Sequence, residues 1–183
     1  MAARQSYLSW PTDRDDDRSA FGFADALGRV VFDARPGQQA SLTLLAGTSN
    51  VDDEEDDLAP DELGTGTNRT SMVNVAWRST FGASLVLRQR AYLVRHRFHN
   101  TRQSGHPPDR GVDEEIAYRA DVVRTVARGL FESGVQVGRV ATRDSPGVAG
   151  ASWERAGYAH FRWAVTSALT LSPGVRVTLI ARA

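Results

Sequence analysis

The sequence contains no cysteine, no lysine and no long run of apolar residues. The lack of cysteine excludes a disulfide framework and a thiolate metal site. No segment approaches the roughly 18 apolar residues of a transmembrane helix. All 22 basic residues are arginine, a bias that a GC-rich genome also produces, and they balance 22 acidic residues. With a net charge of zero, long-range attraction to nucleic acid is not expected.

Apolar and polar residues alternate along most of the chain, most clearly over three segments between 68 and 126. In the first of these, Val73 and Val75 point to one face and Asn74 and Ala76 to the other. A period of two predicts β-strands, because successive side chains leave a strand on opposite faces. Each segment exceeds the roughly 9–11 residues that cross a membrane. A strand of about 14 residues tilted by about 45° rises roughly 33 Å, more than an apolar band of about 25 Å.

The whole chain reads as an all-β, antiparallel up-and-down meander of about eight or nine long strands. Turn residues such as Pro36 and Gly37 separate the strands, and Pro173 predicts a bulge or an edge position because it cannot donate to a ladder. Short and long connections alternate, so that all short turns are expected at one end of the sheet. Short connections are predicted near 34–38, 80–83, 127–130 and 166–168, and long ones at 11–19, 50–67, 100–112 and 143–152.

Four aromatic residues lie near the predicted short connections. Phe32, Trp77, Phe131 and Trp163 lie on the apolar face of their strands and within a few residues of a short turn. Short turns at one end, long loops at the other and an aromatic girdle are typical of outer-membrane barrels. The sequence therefore predicts a segment of a transmembrane β-barrel, with lipid on the apolar side and a polar lumen on the other.

On this pattern the chain resembles part of the barrel of a TonB-dependent outer-membrane receptor. The stretches that carry the resemblance cover nearly the whole chain: RQSYL at 4–8, FGF at 21–23 through VFD at 31–33, NVAWR at 74–78, and DRGV at 109–112 through YRAD at 118–121. The resemblance implies localisation in a Gram-negative-type outer membrane and uptake of a scarce nutrient, such as an iron–siderophore, cobalamin or a glycan. It also implies contacts with membrane lipid and with the remainder of a barrel and its plug domain, and no enzymatic reaction.

The sequence contains no plug domain, and residues 1–10 lack the apolar core of a signal peptide. We therefore expect residues 1–183 to form a single barrel segment, a fragment of a receptor. The sequence shows no recognisable nucleophile or phosphate-binding motif, so no catalytic, cofactor or metal site is predicted. The residues expected to face the lumen and contact a ligand are Arg88, Arg90, Arg119, Asp121 and Arg162.

Several charged groups have a simpler interpretation than ligand binding. The acidic run at 52–57 lacks the spacing of a calcium loop and reads as a solvated connection. His96 and His99 would point to opposite faces of a regular strand, which disfavours a metal site. Glu115 with Arg119, and Asp121 with Arg88, are expected to pair across the lumen wall.

Two other architectures fit the same alternation. One is a small self-closing outer-membrane barrel or porin, since eight strands suffice to close a ring. The other is a soluble up-and-down barrel or sandwich that binds a small apolar ligand. In the soluble protein Val73, Val75, Leu85 and Leu87 would face inward and the arginines outward, and periodicity alone does not separate these cases.

Overall fold

The computed structural model of the chain describes residues 2–9, 19–53, 63–102, 108–145 and 147–182. These residues form ten strands in one sheet. Within this described part, no helix is long and apolar enough to cross a membrane. The strands are β1 Ala2–Ser9, β2 Ser19–Arg35, β3 Gln38–Asp53, β4 Leu63–Phe81, β5 Leu85–Arg102, β6 Asp109–Val126, β7 Gly129–Asp144, β8 Ala149–Ala164, β9 Thr170–Leu171 and β10 Gly174–Arg182.

From β1 to β8 each strand pairs antiparallel with the next along the chain, and β10 pairs antiparallel with β8, which confirms the all-β up-and-down meander. The order is β1-β2-β3-β4-β5-β6-β7-β8-β10, and the short β9 also pairs with β8. Ser172 and Pro173 separate β9 from β10, where the Phe161 amide donates to the Pro173 carbonyl at 2.9 Å. Because β10 has β8 as its single neighbour in the described sheet, the edge position predicted at Pro173 is confirmed. Among the described residues β1 and β10 do not pair with each other, so that the sheet has two edges and is not closed.

Strands β2 to β8 extend further than the alternation alone indicated at the ends next to the predicted long connections. Strands β2 to β8 have 16 to 19 residues each, far above the usual five or six. The long connection predicted at 143–152 is wrong: β7 continues to Asp144 and β8 begins at Ala149. The Asp144 amide donates to the Val148 carbonyl at 2.7 Å and closes a short turn there. The acidic connection 54–62, the charged connection 10–18 and His106 lie outside the described residues.

Two turns require glycine. At the predicted 34–38 turn, Gly37 has φ of 77° and its carbonyl accepts from the Thr80 amide at 2.7 Å. A Cβ on Gly37 would lie 2.8 Å from the Thr80 carbonyl oxygen. In the next short turn Gly82 has φ of 59°. Residues with a side chain rarely adopt these angles, so both glycines fix the end of a hairpin and with it the register of the long strands.

The two faces of the sheet differ in exposure, and the apolar face is the more exposed one. In β4, Val73 and Val75 are 42% and 52% exposed, while Asn74 between them is half-buried. In β6, Ile116 is 53% exposed and the adjacent Ala117 only 4%. Contacts among the described strands join ladder neighbours, so no second layer covers either face.

The four aromatic residues near the short turns lie on the apolar face, as predicted, and all are exposed. Phe32 and Trp77 share one row, because both pair with Ala40 of β3. Phe131 and Trp163 lie closer to the turns, each in a row of its own. Trp163 pairs with Gly129. The Trp77 Nε1 donates to Ser79 Oγ at 2.9 Å, so that its indole nitrogen is satisfied on this otherwise apolar surface.

Candidate functional site

The polar face of the central strands carries four of the five residues predicted to face a lumen. Antiparallel pairing places directly opposed residues on the same face. One row across the sheet contains Arg78, Arg88, Asp121, Gly134 and Tyr158, in that order from β4 to β8. The adjacent row of the same face contains Arg90 and Arg119 as a direct pair. Arg88 and Arg119, which are 31 positions apart in sequence, thus lie in adjacent rows of one surface.

Asp121 is the centre of a compact polar cluster. The Arg119 Nε donates to both oxygens of the Asp121 carboxylate at 2.9 Å. The Tyr158 hydroxyl donates to Asp121 Oδ1 at 2.7 Å, and the Arg119 guanidinium carbon lies 5.5 Å from the centre of the Tyr158 ring. The side chains of Arg119 and Asp121 are only 29% and 17% exposed. Hydrogen bonds to a partly buried carboxylate are among the stronger ones in proteins, so this cluster fixes three strands to one another.

Gly134 makes this cluster possible. It lies in β7 directly between Asp121 of β6 and Tyr158 of β8. A Cβ at this position would lie 2.5 Å from Tyr158 Cε1 and would also collide with Asp121 Oδ1. Because glycine has no side chain, the tyrosine ring crosses over β7 and reaches a carboxylate two strands away.

Of the two cross-strand contacts predicted for this face, that of Asp121 with Arg88 is confirmed by the register, and that of Glu115 with Arg119 is wrong. Glu115 and Arg119 are four residues apart on one strand, roughly 13 Å at about 3.3 Å per residue, and do not meet. Glu115 instead accepts a hydrogen bond from the Tyr92 hydroxyl of β5 at 2.6 Å. Asp121 does lie directly opposite Arg88, but its carboxylate is already bound by Arg119 and Tyr158.

A cavity of about 410 Å³ lies beside this cluster on the polar face. Within the described part of the chain, Arg88 and Arg90 form no ion pair, although Arg78 faces Arg88 and Arg119 faces Arg90. Like charges in directly opposed positions destabilise a sheet unless an anion lies between them. The charged residues that line the cavity are Arg29, Arg78, Arg88, Arg90, Arg119 and Asp121.

Arg162 lies apart from this group. It is on the same face of β8, but two rows beyond Tyr158, where it pairs with Leu130. Its side chain is exposed and does not line the cavity. Alternation along β8 places Arg162 on the correct face, but only the register shows its distance from the other arginines.

The histidines occupy separate surfaces. His96 lies on the polar face, with its Nδ1 3.0 Å from Thr70 Oγ1, and His99 is on the opposite face, where it pairs with Thr67. Among the residues that the structure describes, no three histidine, aspartate or glutamate side chains are grouped as a metal site requires. The opposite orientation predicted for His96 and His99 is confirmed.

The arrangement is suited to binding anions. Arginine stays protonated at any physiological pH and presents several donors in a fixed plane, which matches carboxylates and phosphates. Arg29, Arg78 and Tyr158 belong to this site but were not predicted. Their positions on the polar face follow from the alternation, whereas their proximity depends on the register of five strands.

No protein-family model matches the chain, and no curated protein matches it.

Proposed function

We propose that this chain is a wall segment of an outer-membrane β-barrel of the TonB-dependent receptor type. Its apolar face contacts lipid, and its polar face lines a lumen through which a nutrient passes. The observation that carries the proposal is the inverted exposure: Val75 and Ile116 are more than half exposed, while polar-face residues such as Asn74 and Glu115 are half-buried. A water-soluble barrel requires the opposite, because apolar side chains must leave water.

Strand length and the open edges support the same proposal. Strands of 16 to 19 residues exceed what a bilayer requires and leave segments that project beyond it. Exposed strand edges pair with other strands or are covered in native proteins. Among the described residues β1 and β10 each have one unpaired edge, which suits a wall completed by further strands.

The position of two tryptophan probes tests this proposal. One variant retains Trp77 as its only tryptophan, with the others replaced by phenylalanine. The matched control carries Trp77→Phe and Ala76→Trp, which moves the probe to the polar face by one residue. In vesicles with brominated acyl chains we expect strong quenching of Trp77 and little quenching in the control. Iodide in the aqueous phase should quench the two proteins in the reverse order. Equal quenching of both by bromine, or quenching of neither, contradicts the proposal.

We also propose that the transported nutrient is anionic, with carboxylate or phosphate groups that bind Arg88 and Arg90. The cavity of about 410 Å³ and its unpaired arginines support this proposal. Citrate is a suitable probe of the chemistry. For Arg88→Gln/Arg90→Gln we expect at least about a tenfold loss of citrate affinity, since a hydrogen bond to a charged group contributes about 1.5–3 kcal/mol. Arg162→Gln removes the same type of charge outside the cavity and should leave the affinity nearly unchanged. Equal losses in both variants would indicate general charge attraction only.

A further inference from the structure

A second group of arginines lies on the apolar face, at the end of the strands farthest from the Pro36–Gly37 turn. Two adjacent rows cross β2 to β5 here. The first is Ala26, Ala46, Ser71 and Arg95, and the second is Ala24, Thr48, Arg69 and Arg97. In both rows the residues on β2 and β3 have small side chains, and the residue on β5 is an arginine. The two rows enclose a hollow of about 550 Å³, which we call the outer hollow.

The outer hollow carries uncompensated positive charge. Arg69 and Arg97 are directly opposed on adjacent strands, an arrangement that costs energy without an anion. Two acidic residues are nearby: Asp25, which lines the hollow, and Glu114, whose Oε2 lies 4.0 Å from Arg95 Nε. The Arg95 Nε is buried and has no hydrogen-bond partner. Because Arg69 and Arg97 are opposed and exposed, an anion supplied from outside the chain can reach both of them.

The surroundings of the outer hollow determine which kind of anion it fits. The next row toward the turns on the same face contains Leu44, Val73 and Leu93. All three are exposed. A ligand with its anionic group at Arg69 and Arg97 thus has a stripe of aliphatic side chains on the far side of the row of Ser71 and Arg95. Free anions gain nothing from this stripe, whereas an amphiphile gains burial of its chains.

We propose that the outer hollow binds the phosphate-bearing headgroup of a membrane lipid, with its acyl chains along Leu44, Val73 and Leu93. Arg69 and Arg97 bind the phosphate, since guanidinium groups match phosphate oxygens in bidentate pairs. The small side chains of Ala26, Ala46 and Ser71 leave room for the headgroup. This inference rests on the proposed function, because it assumes that the apolar face contacts lipid.

The test measures binding of phosphatidic acid to the full chain in octyl glucoside, a detergent without charge or phosphate. The variant is Arg69→Gln/Arg97→Gln. The control, Arg35→Gln/Arg176→Gln, removes two charges beside the Pro36–Gly37 turn and on the polar face of β10. We expect affinity to fall at least about tenfold in the variant and less than about twofold in the control. Arg69→Lys/Arg97→Lys should retain part of the affinity because the charge persists. Affinity for diacylglycerol, which lacks the phosphate, should be equal in all four proteins.

The outcomes separate the headgroup site from simpler explanations. An equal loss in variant and control indicates general electrostatic attraction and overturns the inference, and so does unchanged affinity in the variant. Inorganic phosphate that binds as tightly as phosphatidic acid would show a free-anion site instead. Circular dichroism confirms that each variant remains β-structured. If Trp77 is quenched by brominated lipid but phosphatidic acid binds all variants equally, only this inference fails; if Trp77 is not quenched, the proposed function fails with it.

Discussion

At the scale of single residues, the polar face is stabilised by side chains that reach across more than one strand. Tyr158 lies over Gly134 and donates to Asp121, which also binds Arg119 through both oxygens. A sheet with no second layer has few buried apolar contacts: among the described residues Ala117 is the one buried hydrophobic residue. Hydrogen bonds between strands and across them therefore carry a larger share of stability than in a protein with a packed core.

We expect Tyr158→Phe to lower the free energy of unfolding by about 1.5–3 kcal/mol, because it removes a hydrogen bond to a carboxylate. The control is Tyr118→Phe. The Tyr118 hydroxyl donates to Gln89 at 2.7 Å on the exposed apolar face, and the loss of a bond to a neutral acceptor should cost about 0.5–1.5 kcal/mol. Urea unfolding in detergent micelles, followed by tryptophan fluorescence, measures both. A smaller effect at Tyr158 than at Tyr118 would contradict the role of the cluster.

Gly134→Ala should destabilise the protein by about 1–3 kcal/mol, because the new methyl group collides with Tyr158 and Asp121. Gly157→Ala is the matched control in the neighbouring strand. There the added Cβ would meet its nearest atom at 3.9 Å, so we expect no loss, or a gain of about 0.5–1 kcal/mol from reduced backbone entropy. The same unfolding measurement applies. In a Tyr158→Ala background the effect of Gly134→Ala should shrink, and an unchanged effect would exclude the collision as its cause.

At the scale of strands, pairing is uneven across the sheet. Strands β3 to β7 pair along nearly their full length on both sides, whereas β10 has nine residues, one neighbour and only exposed residues. Pro173 interrupts the segment before it, since proline has no amide hydrogen for the ladder. Stability is therefore expected to fall from the centre of the sheet toward β10.

Amide hydrogen exchange in detergent micelles should show this gradient. We expect the amides of β5 and β6 to exchange most slowly and those of β10 to exchange fastest among the strands, because local opening of an edge strand breaks one ladder and exposes little apolar surface. Peptides from Leu85–Arg102 and Gly174–Arg182 provide the comparison within one sample. If β10 is as protected as β5, the edge is covered in solution, either by a second copy or by closure of the sheet.

At the scale of the whole molecule, the apolar face is the exposed one, which is the reverse of the arrangement in a soluble protein. The apolar face presents Leu44, Val75, Ile116 and Val135 to the surroundings. On the polar face, Glu115, Arg119 and Asp121 are half-buried. In water such a surface would promote aggregation, since exposed apolar patches of this extent are rare on soluble monomers. In a bilayer the same surface is satisfied by hydrocarbon.

A pair of arginine substitutions in β4 distinguishes these surroundings. We expect Val75→Arg to destabilise the protein in lipid vesicles by about 2–4 kcal/mol, as a charge on the lipid face near the bilayer midplane does. Asn74→Arg places the same side chain on the polar face, where Thr43 and Tyr92 are its direct partners, and should cost less than about 1 kcal/mol. Folding yield and urea midpoints in vesicles measure the difference. Equal costs for both substitutions would contradict a lipid-facing apolar side.

The sequence by itself determined the strands, their antiparallel order and the composition of each face. A period of two in side-chain direction is a local property, and Val73, Asn74 and Val75 reveal it without any knowledge of their neighbours. The turn at Pro36 and Gly37 is equally local, because it depends on φ angles that few residues adopt.

Only the tertiary structure decided which face is exposed and which residues meet. Exposure depends on the curvature of the sheet, and the proximity of Arg119, Gly134 and Tyr158 depends on register summed over several hairpins, where a shift of one residue would reverse the faces. The pair predicted for Glu115 and Arg119 was wrong although both residues were assigned to the correct face, because they lie on one strand, whereas Asp121 does lie opposite Arg88. The direction of a side chain depends on its own position in a strand. A contact across the sheet depends on the register of every strand between the two residues.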